Sequence, residues 1–139
     1  MSLVILDTNL VSALMPKVVA TRTLLDVYRA ELVGKRYAVS LQSVAELLQG
    51  AELASWGEQR KEVLTRILGR MIVLSPDEPT ARAWSSLRVH ARRTGRALSE
   101  GDAWIAATSV RWALPLITHD RDFRALDFPS LQVVCHAPE

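Results

Sequence analysis

The chain has a single cysteine, Cys135, so no internal disulfide can form, and it reads as a protein of a reducing compartment, the cytoplasm. Cys135 has no CxxC partner, and His90, His119 and His136 stand at no zinc-ligand spacing to it or to one another. A glycine-rich phosphate loop and a GxSxG nucleophile elbow are both missing, which removes the activities tied to those motifs. No apolar run approaches the ~20 residues needed to cross a bilayer. The opening Met1-Ser2-Leu3-Val4 lacks the basic stretch that begins a signal peptide. Internal repeats, low-complexity segments and linkers are absent. Charge is nearly balanced: 17 Lys and Arg against 15 Asp and Glu give +2.

What is present fits one globular domain over residues 1–139, with 49% hydrophobic and 23% charged residues and enough length to bury a core unaided. Leu3 to Leu6 is a continuous apolar run, as in a strand buried on both faces. Leu10 to Met15 is a short helix stopped by Pro16. Val18 through Leu32 carries Leu24, Leu25, Tyr28 and Leu32 at helical spacing, with Gly34 at its C-cap. Tyr37 to Val39 reads as a second strand. A helix follows from Ser40, breaks near Trp56 and resumes to about Leu68. Met71 to Leu74 is a strand, Asp77 opens a helix that runs through Arg93 to Gly95, and Ser99 caps the next. Pro115 to Thr118 and Leu131 to Val134 complete the strands. Strands alternating with helices imply a mainly parallel sheet with right-handed crossovers, an α/β/α sandwich.

Four acids stand where a strand hands over to a helix, or just inside one: Asp7, Glu46, Asp102 and Asp120. In an open α/β sheet, ligands gather beyond the carboxyl ends of the strands, where these four would converge. Clustered carboxylates repel unless a cation neutralises them or some bind protons. Oxygen ligands suit a hard ion such as Mg2+ or Mn2+ rather than zinc. Each acid also has a local alternative. Asp7 fits a helix N-cap. Ser43 with Glu46, and Ser99 with Asp102, fit capping boxes, although a helix that starts before Ser43 puts Glu46 a turn too deep to cap. Asp120 and Asp122 fit Asx turns. Arg88, Arg92 and Arg96 recur every four residues, beside Arg93 and His90; they are either a solvated helix face or a flank that contacts phosphates.

Taken in order, Leu6-Asp7-Thr8-Asn9, Ser43 with Glu46, Asp102 through Thr108, and Thr118-His119-Asp120 through Phe123 resemble the PIN-domain ribonucleases. Within them the chain is similar to the toxin branch of VapBC-type toxin–antitoxin pairs, including FitB-like members; Arg92-Arg93-Thr94-Gly95-Arg96 adds to the likeness. The resemblance implies a PIN-like fold and an endoribonuclease that hydrolyses RNA with a Mg2+- or Mn2+-activated water. It casts Asp7, Glu46, Asp102 and Asp120 as metal-binding and catalytic residues. It makes Thr8, Asn9, Ser43 and Thr118 polar residues that hold carboxylates or waters, with Glu100 a further acid beside the third motif. It also implies a VapB-like antitoxin partner whose tail covers the cleft, and a homodimer. The alternative is a non-catalytic PIN-like module that grips RNA or a protein partner, for which all four acids would be superfluous.

Overall fold

Period-two alternation in the first strand decides the layering. β1 (Leu3–Leu6) sends Val4 and Leu6 into one apolar cluster and Ile5 into another, so the strand is covered on both faces. The computed structural model describes residues 2–16 and 19–139, excepting the side chains of 19–22. It repeats this split in β2 (Arg36–Ser40) and β4 (Leu116–Ile117): Val39 and Ile117 join Leu6, while Ala38 and Leu116 join Ile5. With β3 (Ile72–Leu74) and β5 (Val133–Val134) at the edges, the five-stranded order is β3-β2-β1-β4-β5. All neighbours run parallel.

Helices fill the two faces according to the direction of winding. α1 (Thr8–Ala13), α2 (Val19–Val27) and α3 (Arg29–Leu32) link β1 to β2, and α4 (Leu41–Leu53) and α5 (Glu58–Gly69) link β2 to β3. Leu10, Val11, Tyr28, Leu47 and Leu64 from these helices pack with Leu6. The chain then crosses back over β2 and β1 to reach β4. A right-handed crossover in the reverse direction must lie on the opposite face. Accordingly α6 (Glu78–Arg93), α7 (Glu100–Trp112) and α8 (Arg121–Ala125) bring Leu87, Ile105 and Phe123 onto Ile5. The architecture is the three-layer α/β/α sandwich, and its reversal of winding falls between β1 and β4.

Several local signals act as expected. Ser55, with φ of +53°, turns the chain just before Trp56. Asp77 and Thr80 form a reciprocal capping box for α6, and Arg111 pairs with the same Asp77 carboxylate. Gly34 and Gly95 take the positive φ that helix ends favour. Cys135 is buried. Among the described residues, no helix is long and apolar enough to cross a membrane.

The helix expected from Val18 to Leu32 is corrected to two. Val18 lies outside the described residues, and the helix breaks at Tyr28, whose backbone sits at φ −104° and ψ 12°. Its side chain is wholly buried, and the hydroxyl lies 2.9 Å from the Thr118 carbonyl and 2.7 Å from His119 Nδ1. It also accepts from the His136 N–H at 2.8 Å. Tertiary bonds to the end of β4 and to the C-terminal segment thus coincide with the break. β4 and β5 are shorter than expected, although ladder bonds extend from Leu116 N–H to the Gln132 carbonyl and from Thr118 N–H to the Val134 carbonyl. α8 has no counterpart in the sequence reading; it is only five residues long.

Replacing Tyr28 by Phe removes the oxygen but keeps the ring, leaving the buried Thr118 carbonyl and the His136 N–H without this partner. The expected cost is about 1–3 kcal/mol, read as a lower urea midpoint at constant m. An unchanged midpoint would mean that the hydroxyl does not anchor the break.

Candidate active site

One step beyond the paired strands, the parallel register sets Asp7 beside Thr118. The Asp7 N–H bonds the Ile117 carbonyl at 2.9 Å, and Thr118 Oγ1 donates to Asp7 Oδ2 at 2.6 Å. Asp7 Oδ1 accepts from the Thr8 N–H at 2.7 Å, so the residue also caps α1. The capping alternative for Asp7 therefore holds alongside its place in the cleft: one carboxylate does both.

Ser40 ends β2 and caps α4, its hydroxyl accepting from the Ser43 N–H at 3.0 Å. Glu46 consequently sits beyond the first turn, and the Ser43–Glu46 capping box does not form. Instead Glu46 Oε1 accepts from Thr8 Oγ1 at 2.7 Å and Oε2 from Gln42 Nε2 at 2.9 Å. Ser43 Oγ, fully buried, lies 2.9 Å from Thr8 Oγ1. This chain of hydroxyls ties the start of α1 to α4.

Asp102 and Asp120 come from the other face. Ser99 caps α7 by accepting from the Asp102 N–H at 3.1 Å. Gly101 lets α7 approach α4: a Cβ there would stand 2.9 Å from Glu46 Oε2 and 3.0 Å from Gln42 Nε2. Asp120 caps α8 in an Asx turn, with Oδ1 accepting from the Asp122 N–H at 2.9 Å. Its own N–H donates to Thr118 Oγ1 at 3.0 Å. Asn9 Oδ1 takes a long bond, 3.4 Å, from the His119 N–H.

All four acids line one cavity of about 480 Å3, together with Thr8, Asn9 and Ser12. Leu47, Gly50, Ala51 and Trp56 form its α4 side. Asp122 and Glu100 are exposed and are not among its lining residues. Burial pushes the Asp7 carboxyl up to about 6; its Thr118 and Thr8 bonds oppose this, and Asp102 and Asp120 add repulsion. Burial, then Asp120, raises Asp102, while Ser99 opposes and Glu46 and Asp122 contribute less. Among the described residues, no Lys or Arg forms an ion pair with any of the four. Nor, among those residues, do three or more His, Cys, Asp or Glu stand close enough together to hold a metal ion. The cluster is acidic, shares a cavity and is open.

The arginines divide. Arg88, Arg92 and Arg96 line a hollow of about 380 Å3 with Leu98, whose carbonyl accepts from Arg88 Nη1 at 2.6 Å. Arg93 instead lines another hollow, with Ser86 and His90. Neither hollow shares a lining residue with the acidic cavity.

Gln42, Gly101 and Trp56 are site residues that the sequence reading missed. Gln42 stands four residues before Glu46, the spacing of a helical side-chain pair, which was a usable signal. Glycine in a helix's first turn was a weaker one. Nothing in the sequence placed Trp56 against this cavity.

The PIN domain family model matches residues 4–129. Ribonuclease VapC5 of Mycobacterium tuberculosis is 38% identical over 98 residues, covering 69% of this chain and 73% of that protein. VapC ribonuclease Y4jK of Sinorhizobium fredii is 31% identical over 126 residues, covering 85% and 87%. The crystal structure of VapBC-5, a member of the VapBC family of toxin–antitoxin systems from M. tuberculosis, superposes with a TM-score of 0.72 at 29% identity, over 97% of this chain and 99% of that one.

The raised carboxyl of Asp7 sets a pH dependence. Its folded value, about 6, exceeds the ordinary 3.8, so the fold holds this proton more tightly than the unfolded chain does. Its contribution is therefore complete below about pH 4 and is lost as pH rises toward 6. At ~1.4 kcal/mol per unit, the loss is at most about 3 kcal/mol. Urea unfolding in chelator should show stability falling between pH 4 and 6, with Asp7→Asn flattening that fall and gaining stability at pH 7.5. Parallel pH profiles for the two proteins would remove Asp7 as the cause.

Proposed function

The chain belongs to the PIN domain family, and from that premise we propose that it is an endoribonuclease, the toxin of a toxin–antitoxin pair, hydrolysing RNA phosphodiester bonds with a divalent metal ion. The observation that carries this reading is the shared cavity of four carboxylates at the point where the winding reverses, with no side-chain cation among the described residues paired to them.

The donor set fits Mg2+ or Mn2+. Every candidate ligand is a hard oxygen, and Mg2+ is usually held by one or two carboxylates plus water and substrate phosphate rather than by an all-protein cage. An open cluster is compatible with that mode. Asp7 and Asp102 are the residues that would hold the ion, with Glu46 and Asp120 completing the site or orienting the water. When bound, the ion supplies Lewis-acid polarisation of the phosphate and lowers the pKa of the attacking water.

The chain's own groups have separate tasks. Thr118 and Thr8 fix the two oxygens of Asp7, leaving it little freedom to swing from the cleft. Thr8 and Gln42 hold Glu46, which completes the site or orients the attacking water. Attack by water leaves 5′-phosphate and 3′-hydroxyl ends. Arg88, Arg92, Arg93 and Arg96 contact RNA phosphates away from the cut, from the two hollows rather than one stripe. A cognate VapB-like antitoxin covers the cleft, and the active form is a homodimer.

Asp102→Asn should lower RNA cleavage by at least ~100-fold, the upper scale even for groups one step removed from a metal. The metal-free fold should be as stable as the wild type or more so, because one buried repulsion disappears. Mn2+ should raise the melting temperature of the wild type and not of the variant. If Mn2+ changes neither melting temperature nor RNA integrity, the non-catalytic binding module is the better reading. Products ending in 2′,3′-cyclic phosphate would exclude water as the nucleophile.

A further inference from the structure

The acidic cavity has a second side with different chemistry. Leu47, Gly50 and Ala51 of α4, followed by Trp56, bring no charge and no carboxylate oxygen to the cavity. We propose that this wall is a nucleobase subsite, which holds one base of the RNA strand beside the scissile phosphate against Trp56; the inference rests on the ribonuclease reading.

Gly50 leaves a gap on the helix surface, since a Cβ there would meet nothing within 4 Å. Trp56 is fixed beside that gap by the backbone: its N–H donates to the Ala51 carbonyl at 3.0 Å, and the Ala54 N–H donates to the Gly50 carbonyl at 3.0 Å. Ser55 in the left-handed region makes the turn between these bonds. The Arg60 guanidinium sits 4.0 Å from the indole centroid and restrains the ring by a cation–π contact. Part of the indole packs on the core, yet the residue is only half-buried and lines the cavity.

Continuity with the acids selects the occupant. A strand whose phosphate meets the metal-binding carboxylates must place adjoining nucleotides within the same cavity or at its rim. The base is the part of a nucleotide with an apolar face, and every base can pack on an aromatic ring. At about 480 Å3 the cavity is of ordinary small-ligand size. Arg60 acts as a positioning residue for the ring, and Trp56 and Gly50 as the binding surface.

The test uses the full chain with Mn2+ and a single-stranded RNA that the wild type cuts. Trp56→Leu removes the ring. Gly50→Leu fills the gap without removing any core group, so it keeps the test decisive if Trp56→Leu fails to fold. Both should raise KM roughly 10- to 100-fold while kcat changes only a few-fold. The same loss should appear in fluorescence-anisotropy binding of that RNA to each variant combined with Asp102→Asn. An abasic spacer at one nucleotide flanking the cut should impose a similar penalty on the wild type and little further penalty on the variants. Active variants with wild-type KM, RNA affinity and spacer response overturn the subsite while leaving the ribonuclease reading intact. So do variants that cut RNA normally but escape inhibition by a copurifying protein, because the wall then serves a protein side chain. A wild type that cuts no RNA with Mn2+ sinks the ribonuclease reading, and the subsite with it.

Discussion

Among the described residues no Lys or Arg pairs with the four carboxylates of the cavity, and hydroxyl groups hold two of them, Asp7 and Glu46, in place. Thr118 grips Asp7 from the end of β4 while accepting from the Asp120 backbone. Thr8 reaches from α1 to Glu46 on α4, with Ser43 behind it. These donors are neutral, so they fix the carboxylates in place without cancelling their charge. Burial is the main reason the Asp7 and Asp102 carboxyls are raised, and repulsion from neighbouring acids adds to it. On the proposed metal-dependent reading this combination suits a cation, whereas a Lys or Arg in the same cleft would satisfy the acids and compete with a metal.

The fold makes the convergence possible through its register. Parallel strands end at one edge, and the winding reverses between β1 and β4, so helices from both faces start over the same crevice. Two of the acids come from segments on the α1 and α4 face and two from segments on the α7 and α8 face. Gly101 matters because the two sets can meet only if α7 comes close to α4, and any side chain at that position would press on Glu46. Local capping and functional placement do not compete. Asp7 and Asp120 both cap the helices that follow them, because a strand end facing a helix start is where a carboxylate finds free N–H groups.

Much of this was legible in the chain. Short apolar runs between helical stretches specified a parallel α/β sandwich, because a strand buried on both faces cannot afford alternating polar residues. The ordered motifs marked Asp7, Glu46, Asp102 and Asp120, and the polar positions Thr8, Ser43 and Thr118 beside them, as the candidate constellation. Local rules also marked Ser40, Asp77 and Ser99 as places where helices begin, since capping depends on neighbours within a turn.

Tertiary structure decided the rest. Helical spacing carried straight through Tyr28, but a buried hydroxyl bonded to residues 90 and more positions away accompanies a break there. A helix start at Ser40 already left Glu46 too deep to cap, but its bond to Thr8 was settled only by the packing of α1 against α4. Arg88, Arg92 and Arg96, spaced for one face, do share one hollow, and Arg93 beside them lines another with His90. The apolar wall with Trp56 left no mark in the sequence at all. Periodicity and capping report interactions within a few residues, and they are written along the chain. Which distant side chains share a cavity depends on crossover direction, strand register and how closely two helices can approach, and those exist only once the sheet is wound.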